Sequence, residues 1–162
     1  MKTAIVAGSR TPFCKAGTEL RELSAAALGK MAVTEVLARA GIGGDVVDQL
    51  IFGTVIHDPH APNIAREVGL AVLPKNVPAV TVSRACASAN QAIADGTNLI
   101  ELGLAKVVVA GGSESLSHIP ITVSERLGRT LIDASKARGL GGKASRISRL
   151  RPRDLVPVQP QI

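Results

Sequence analysis

Ala79-Val-Thr-Val-Ser-Arg-Ala-Cys-Ala-Ser-Ala-Asn-Gln-Ala-Ile-Ala-Asp-Gly-Thr-Asn-Leu-Ile-Glu-Leu-Gly103 joins two patterns of different period. Ala79 to Ser83 is a short β-type run, and Ala87 to Gly103 follows the helical pattern, so a strand passes almost directly into a helix. Cys86 stands at the junction. There it lies close to a first helical turn, whose free N–H groups and positive dipole end stabilise a thiolate. Position alone leaves two readings open, a nucleophile or the small buried apolar side chain that most free cysteines are. The helix carries little charge on any face and is rich in small residues (Ala87, Ala89, Ala92, Ala94, Gly96), which suits a helix buried at the centre of a domain.

The same alternation extends outward. Thr3 to Ala7 reads as a short apolar strand, and Leu23 to Ala40 as a helix with Ser24 as cap and Gly41 as stop. Gln49 to Val55 reads as a strand through its β-branched and aromatic content, and Asn63 to Leu73 as a helix capped by Asn63 and ended before Pro74. Val107 to Ala110 is a wholly apolar strand. The order β-α-β-α-β-α-β predicts an α/β fold, a sheet with helices on both faces. From Ser124 the character changes. Ser124 to Arg138 is an amphipathic helical pattern with Leu127, Leu131 and Ile132 on one side. Gly139 to Gly142 then breaks it, and Pro152, Pro157 and Pro160 prevent a regular ending. The expected division is an α/β domain over residues 1–121 and a basic helical and loop segment over 122–162.

The 162 residues suffice for one domain with an aliphatic core, since Trp and Tyr are absent and Phe13 and Phe52 are the only aromatics apart from histidine. Stacking platforms for single-stranded nucleic acid are therefore missing, and no nucleic-acid partner is expected. No apolar run approaches the roughly 20 residues of a membrane span, and the first residues make too short an apolar run for a secretory signal. Cys14 and Cys86 form no disulfide framework and no metal-ligand spacing; a reducing, cytoplasmic setting is expected. The net charge of +6 is localised. Residues 1–123 hold ten Lys/Arg and ten Asp/Glu, whereas Ser124 to Asp154 holds nine basic and three acidic residues. Such a segment suits phosphates, an anionic membrane surface or an acidic partner, or is simply a solvated face.

The wording around Cys86, Val80-Thr-Val-Ser-Arg-Ala-Cys-Ala-Ser-Ala-Asn-Gln-Ala-Ile93, and the glycine-rich Val107-Val-Val-Ala-Gly-Gly-Ser-Glu-Ser-Leu-Ser117 resemble the two N-terminal signatures of the thiolases. Arg10-Thr-Pro-Phe13, Val47 to Val55, Asn63-Ile-Ala-Arg-Glu67 and Leu73 to Pro78 follow in that family's order, so the resemblance covers nearly the whole chain. Ser88-Ala-Asn-Gln91 and the tail from Ile119 to Pro157 look most like the β subunit of the trifunctional fatty-acid oxidation complex. Ser113 and Leu116 depart mildly from the family, where Val or Thr, and Met, are usual.

The resemblance implies a thiolase-like N-terminal domain with a mixed sheet. It implies an acetyl-CoA C-acyltransferase (3-ketoacyl-CoA thiolase) of fatty-acid β-oxidation, with coenzyme A thioesters as substrates and no separate cofactor. Cys86 would take the acyl group, its own N–H being one donor to the oxyanion. The family's Asn-His-Glu segment, its Gly-His-Pro histidine and its second cysteine have no counterpart here, and the last strand and helix of the N-terminal domain are expected to be absent as well. Little turnover is therefore expected of this chain alone. The alternative is a non-catalytic interaction or oligomerisation module, associating with itself or an intact thiolase. An α subunit of a β-oxidation complex and an anionic membrane are further partners the basic tail would suit.

The histidines offer no substitute base. His57-Asp-Pro-His60 sits in a turn without further ligands, and His118 follows the glycine motif in a loop. Gly111-Gly-Ser-Glu-Ser115 lacks the final glycine of a G-x-S-x-G elbow and the paired Asp and His, which disfavours a hydrolase. Gly111 and Gly112 more simply permit a sharp turn and close packing beside the Cys86 helix. Gly41-Ile-Gly-Gly44 lacks the pattern and strand context of a dinucleotide loop.

Overall fold

A computed structural model describes residues 2–148 and 150–158. The chain divides into two compact units, Met1–Ile119 and Pro120–Ile162. In the first, helix α1 (Ala25–Ala40) is followed by strand β1 (Gln49–Gly53), helix α2 (Ile64–Val72), strand β2 (Ala79–Val82), helix α3 (Ser88–Glu101) and strand β3 (Val108–Gly112). The caps are where the sequence puts them. Ser24 and Asn63 each accept an N–H from the first turn of α1 and α2, and Gly41 ends α1 at φ 67°, a conformation that costs an L side chain.

The sheet order is β2-β1-β3 and all pairings are parallel, with Ile51 opposite both Val80 and Ala110. This corrects the expectation of a mixed sheet for the described residues. α2 and α3 are the crossovers, and a crossover returns the chain in the same direction. Helices do cover both faces. Leu50 and Phe52 of the central strand face Gly69 of α2 and Gly29 of α1, while Gly53 and the Val108 and Ala110 side chains meet α3. Buried on both sides, β1 joins Val33, Leu37, Ile64, Ala65 and Val68 in one aliphatic core around Phe52. An ideal Cβ on Gly29 would lie 2.8 Å from Val68 Cγ2 and 2.9 Å from Phe52 Cε1, so glycine is what lets α1 approach α2 and β1.

Thr3 to Ala7 does not form the expected strand. It flanks the β3 side of the sheet across a cavity of ≈ 350 Å³, joins no ladder, and leaves Ile5 and Val6 84 % exposed. Apolar β-branched residues give a run the propensity for a strand, but a strand exists only where a neighbouring edge takes its hydrogen bonds. The α3 expectation also needs correction. Only Ser88, Ala92 and Gly96 are buried, a single stripe facing the sheet, and Ile93 is exposed. A helix that covers one face of a sheet needs small residues only on that stripe.

In the second unit, α4 (Glu125–Lys136) is capped by Ser124, and α5 (Gly139–Ile147) follows. The buried residues of α4 are Leu127 and Ala134, seven apart, whereas Leu131 and Ile132 are exposed. The break falls at Ala137 and Arg138, both extended, and Gly139 to Gly142 lie inside α5, contrary to expectation. A 3-10 turn, Pro152–Leu155, begins at one of the expected prolines; Pro160 lies outside the described residues. Asp154 organises this unit. Its carboxylate accepts the Arg151 N–H and pairs with Arg126 at 3.5 Å, and the Ser124 hydroxyl donates to its carbonyl at 3.0 Å.

Candidate functional site

All three strands end at one edge, and the chain leaving that edge carries the chemistry-bearing residues, as open α/β sheets tend to arrange them. Past the ladder, the Thr54 N–H donates to Val82 O at 3.2 Å and the Ser113 N–H donates to Gly53 O at 3.1 Å, tying the three exits together. The start of α3 is pressed onto this edge. A Cβ on Gly53 would stand 2.6 Å from the Ser88 carbonyl carbon and 2.7 Å from Ala89 N, and one on Gly112 would stand 2.7 Å from Gly53 O and 3.3 Å from Ala89 Cβ. The close packing expected of the glycine motif is present at Gly112, though as the end of β3 rather than a turn.

Cys86 occupies the connection between β2 and α3, two residues before the helix, and is exposed. Ala85, just before it, has φ 46°, the only positive φ at a non-glycine among the described residues. That region is rare and costly for a residue with a Cβ, and such outliers gather at functional turns. Four hydrogen bonds close the turn. Ala87 N–H donates to Arg84 O and Ser88 N–H to Ala85 O, while the buried Ser88 hydroxyl accepts the Arg84 N–H at 2.8 Å and donates to Ala85 O at 2.7 Å. The Arg84 guanidinium is turned along α3 to Gln91 Oε1 at 2.7 Å, and Gln91 in turn donates to Asp95.

Glu114, two residues beyond β3, is a second organiser of the edge. Its carboxylate accepts the Val55 N–H at 2.7 Å, the Ile56 N–H and the Thr54 hydroxyl, fixing the exit of β1. Sequence reasoning missed both Glu114 and the role of Ser88. The signal for Glu114 was its place directly after the glycine motif; for Ala85 nothing in the sequence marks a left-handed alanine.

The histidines lie apart from any metal arrangement. His57 Nδ1 bonds the carbonyl of Val55 at 3.2 Å, His118 Nε2 bonds that of Arg21 at 2.7 Å, and both are exposed. Among the described residues no group of three His, Cys, Asp or Glu could hold a metal ion. Two cavities lie elsewhere on the first unit: the ≈ 350 Å³ one beside β3, and one of ≈ 340 Å³ between Ser9–Ala16 and Gly112–Ser117. Cys86 lines neither. Among the described residues no helix is long and apolar enough to cross a membrane.

A parallel α/β sheet with an exposed cysteine on a strained strand-to-helix turn defines a class of proteins that present a thiol at the strand ends. The family is then fixed by comparison with known proteins. Residues 3–144 match the model of the thiolase N-terminal domain, and the chain belongs to the thiolase family. It is 48 % identical over 162 residues to 3-ketoacyl-CoA thiolases of Klebsiella pneumoniae (strain 342) and Yersinia pestis (strain Pestoides F), covering 99 % of this chain and 37 % of each relative. The chain thus spans little more than a third of the length of those relatives. Among solved structures it resembles the Bacillus anthracis acetyl-CoA acetyltransferase (TM-score 0.72, 34 % identity, 74 % of this chain and 31 % of that one). It also resembles a thiolase of Ascaris suum in complex with coenzyme A (TM-score 0.70, 31 % identity, 74 % and 32 %).

Proposed function

We propose that this chain carries the acyl-accepting part of a 3-ketoacyl-CoA thiolase of fatty-acid β-oxidation, with Cys86 as the nucleophile and coenzyme A thioesters as substrates. The observation that carries the reading is the exposed Cys86 thiol on the turn into α3, inside the segment that matches the thiolase N-terminal domain. In the synthetic direction the Cys86 thiolate attacks the carbonyl carbon of an acyl-CoA. The new bond is Cys86 Sγ to acyl carbon; the bond broken is that carbon's link to the coenzyme A sulfur, which leaves as a thiolate and takes up a proton. In thiolysis the thiolate attacks the 3-keto carbon, the bond between carbons 2 and 3 breaks, and the carbanion is protonated to acetyl-CoA. The Cys86 N–H is one donor for the oxyanion, next to the first turn of α3.

Both directions need a proton acceptor and donor beside the sulfur. Cys86 is exposed and lines neither of the two cavities described above, His57 is bonded to the carbonyl of Val55 in its own loop, and His118 to that of Arg21. This supports a chain that is acylated but turns over little unless a further thiolase segment joins it. The second reading is a non-catalytic module that associates with itself or an intact thiolase, and the exposed Val80 on β2, the end strand of the sheet among the described residues, favours it.

Intact mass of the wild type and Cys86→Ala after incubation with acetyl-CoA and a longer acyl-CoA separates the two. A gain of one acyl group confined to the wild type is expected. A folded wild type that stays unmodified would mean that acylation requires groups this chain does not supply, and would leave the interaction module as the reading for the chain by itself.

A further inference from the structure

We propose that Ser88 is a positioning residue for Cys86: its hydroxyl holds Ala85 in the left-handed conformation that presents the thiol at the start of α3. The proposal rests on the reading of Cys86 as the nucleophile, and concerns how that thiol is kept in place.

Ser88 is the first residue of α3, yet its hydroxyl is not used as a helix cap. The N-cap position is Ala87, with no side-chain bond to the helix. Instead the hydroxyl reaches back over the preceding turn, accepting from Arg84 N–H at 2.8 Å and donating to Ala85 O at 2.7 Å. Those two groups bracket the residue pair whose conformation sets the direction in which the chain enters Cys86. Ala85 has no intrinsic reason to sit at φ 46°; an alanine relaxes to negative φ unless its surroundings hold it. The hydroxyl is itself held. Ser88 is 4 % exposed, and a Cβ on Gly53 would stand 2.8 Å from Ser88 Cβ, so β1 walls it in. One buried hydroxyl therefore supplies both a donor and an acceptor to a strained turn, on a part of the fold where Arg84, Ala85 and Cys86 are all exposed. Burial of Ser88 beside exposure of the turn means that the strained segment is fixed from below and left open above.

Without the hydroxyl, Arg84 N–H loses that acceptor and Ala85 O keeps only the Ser88 N–H, so Ala85 relaxes and the turn no longer fixes where Cys86 stands. The loss shows as a thiol that reacts more slowly. The experiment is the rate of alkylation by iodoacetamide at Cys86 and at Cys14, followed by mass spectrometry from acid to alkaline pH, in the wild type, Ser88→Ala, Ala85→Gly and the double variant. In Ser88→Ala the Cys86 rate near neutral pH is expected to fall about fivefold, the factor that one net hydrogen bond represents. The Cys14 rate, which reports the rest of the unit, stays unchanged. Glycine adopts positive φ at no steric cost, so Ala85→Gly in the Ser88→Ala background is expected to restore most of the lost rate.

Three results would overturn the proposal. A folded Ser88→Ala with the wild-type Cys86 profile removes any positioning role. Equal acceleration at Cys14 and Cys86 shows that Ser88 serves the fold as a whole. Failure of Ala85→Gly to restore the rate removes the link through Ala85. A wild-type Cys86 whose profile matches that of Cys14 is a different failure, because it takes down the nucleophile reading itself.

Discussion

Asp48 lies just ahead of β1, and its carboxylate accepts the N–H groups of Lys106 at 2.6 Å and Val107 at 2.9 Å, at the entry to β3. The Val107 N–H, then that of Lys106, hold its carboxyl below the ordinary value, against a smaller opposing effect of desolvation. A carboxylate with a depressed pKa stabilises the fold above its unfolded pKa and ceases to do so as pH falls through the folded value. Asp48→Asn is therefore expected to lower the thermal midpoint at neutral pH, and the gap from the wild type to close as the solution is acidified below about pH 4. A gap that persists unchanged in acid would mean that the charge has no part in it. Much of the site at this scale was not legible in the sequence. Cys86 was, because the change from strand to helix pattern marks its address. Ala85 was not, because nothing in its own identity favours a left-handed conformation and the bonds that close its turn come from Ser88, three residues on, and Glu114 was not, because its partners Thr54, Val55 and Ile56 are about 60 residues away in the chain.

At the scale of the element, contacts between backbone and backbone set the site. Gly53 and Gly112 are the places where β1, β3 and α3 come within van der Waals reach of one another. Gly53→Ala drives a methyl group into the backbone of Ser88 and Ala89, which cannot yield as a side-chain tip would. A loss of about 1–3 kcal/mol is expected from denaturant titration, the range for forced overpacking, together with altered Cys86 alkylation because the α3 start must shift. Ser24→Ala removes only the cap of α1 and is expected to cost about 1 kcal/mol while leaving Cys86 alkylation at the wild-type rate. Equal effects of the two variants on the thiol would refute the assignment of Gly53 to the site. The helix ends were readable because caps are local: Ser24, Asn63 and Ser124 each bond within their own first turn. α5 was hidden by Gly139 to Gly142, whose weak helix propensity argues against a helix that forms nonetheless.

For the whole molecule, the two units differ in what they bury. The first has a continuous aliphatic core around Phe52, whereas among the described residues of the second the buried apolar side chains are Leu127 and Ala134, and Leu131, Ile132, Leu140, Ile147, Leu155 and Val156 are exposed. Stability follows buried apolar area, so the amides of α4 and α5 are expected to exchange with solvent well before those of α1, α2 and β1. Uniform protection across both units, read by hydrogen exchange and mass spectrometry, would contradict this. The basic excess also belongs to the second unit. Binding to anionic vesicles that weakens with salt and is lost when Arg146, Arg149 and Arg151 become Glu would assign it to a lipid surface, and binding insensitive to both would exclude that role; Arg149 itself lies outside the described residues.

The sequence by itself determined the alternation of strands and helices, the caps, the family and the junction at which Cys86 stands, because each is written in neighbouring residues or in ordered motifs. Only the tertiary structure decided which apolar runs became strands. Gln49 to Gly53, Ala79 to Val82 and Val108 to Gly112 found partners and Thr3 to Ala7 did not, since pairing depends on which edge another part of the chain brings alongside. The tertiary structure likewise decided the conformation of Ala85 and the burial of Ser88 beneath it, because a strained turn persists only where packing and hydrogen bonds from other elements outweigh the local preference of the backbone.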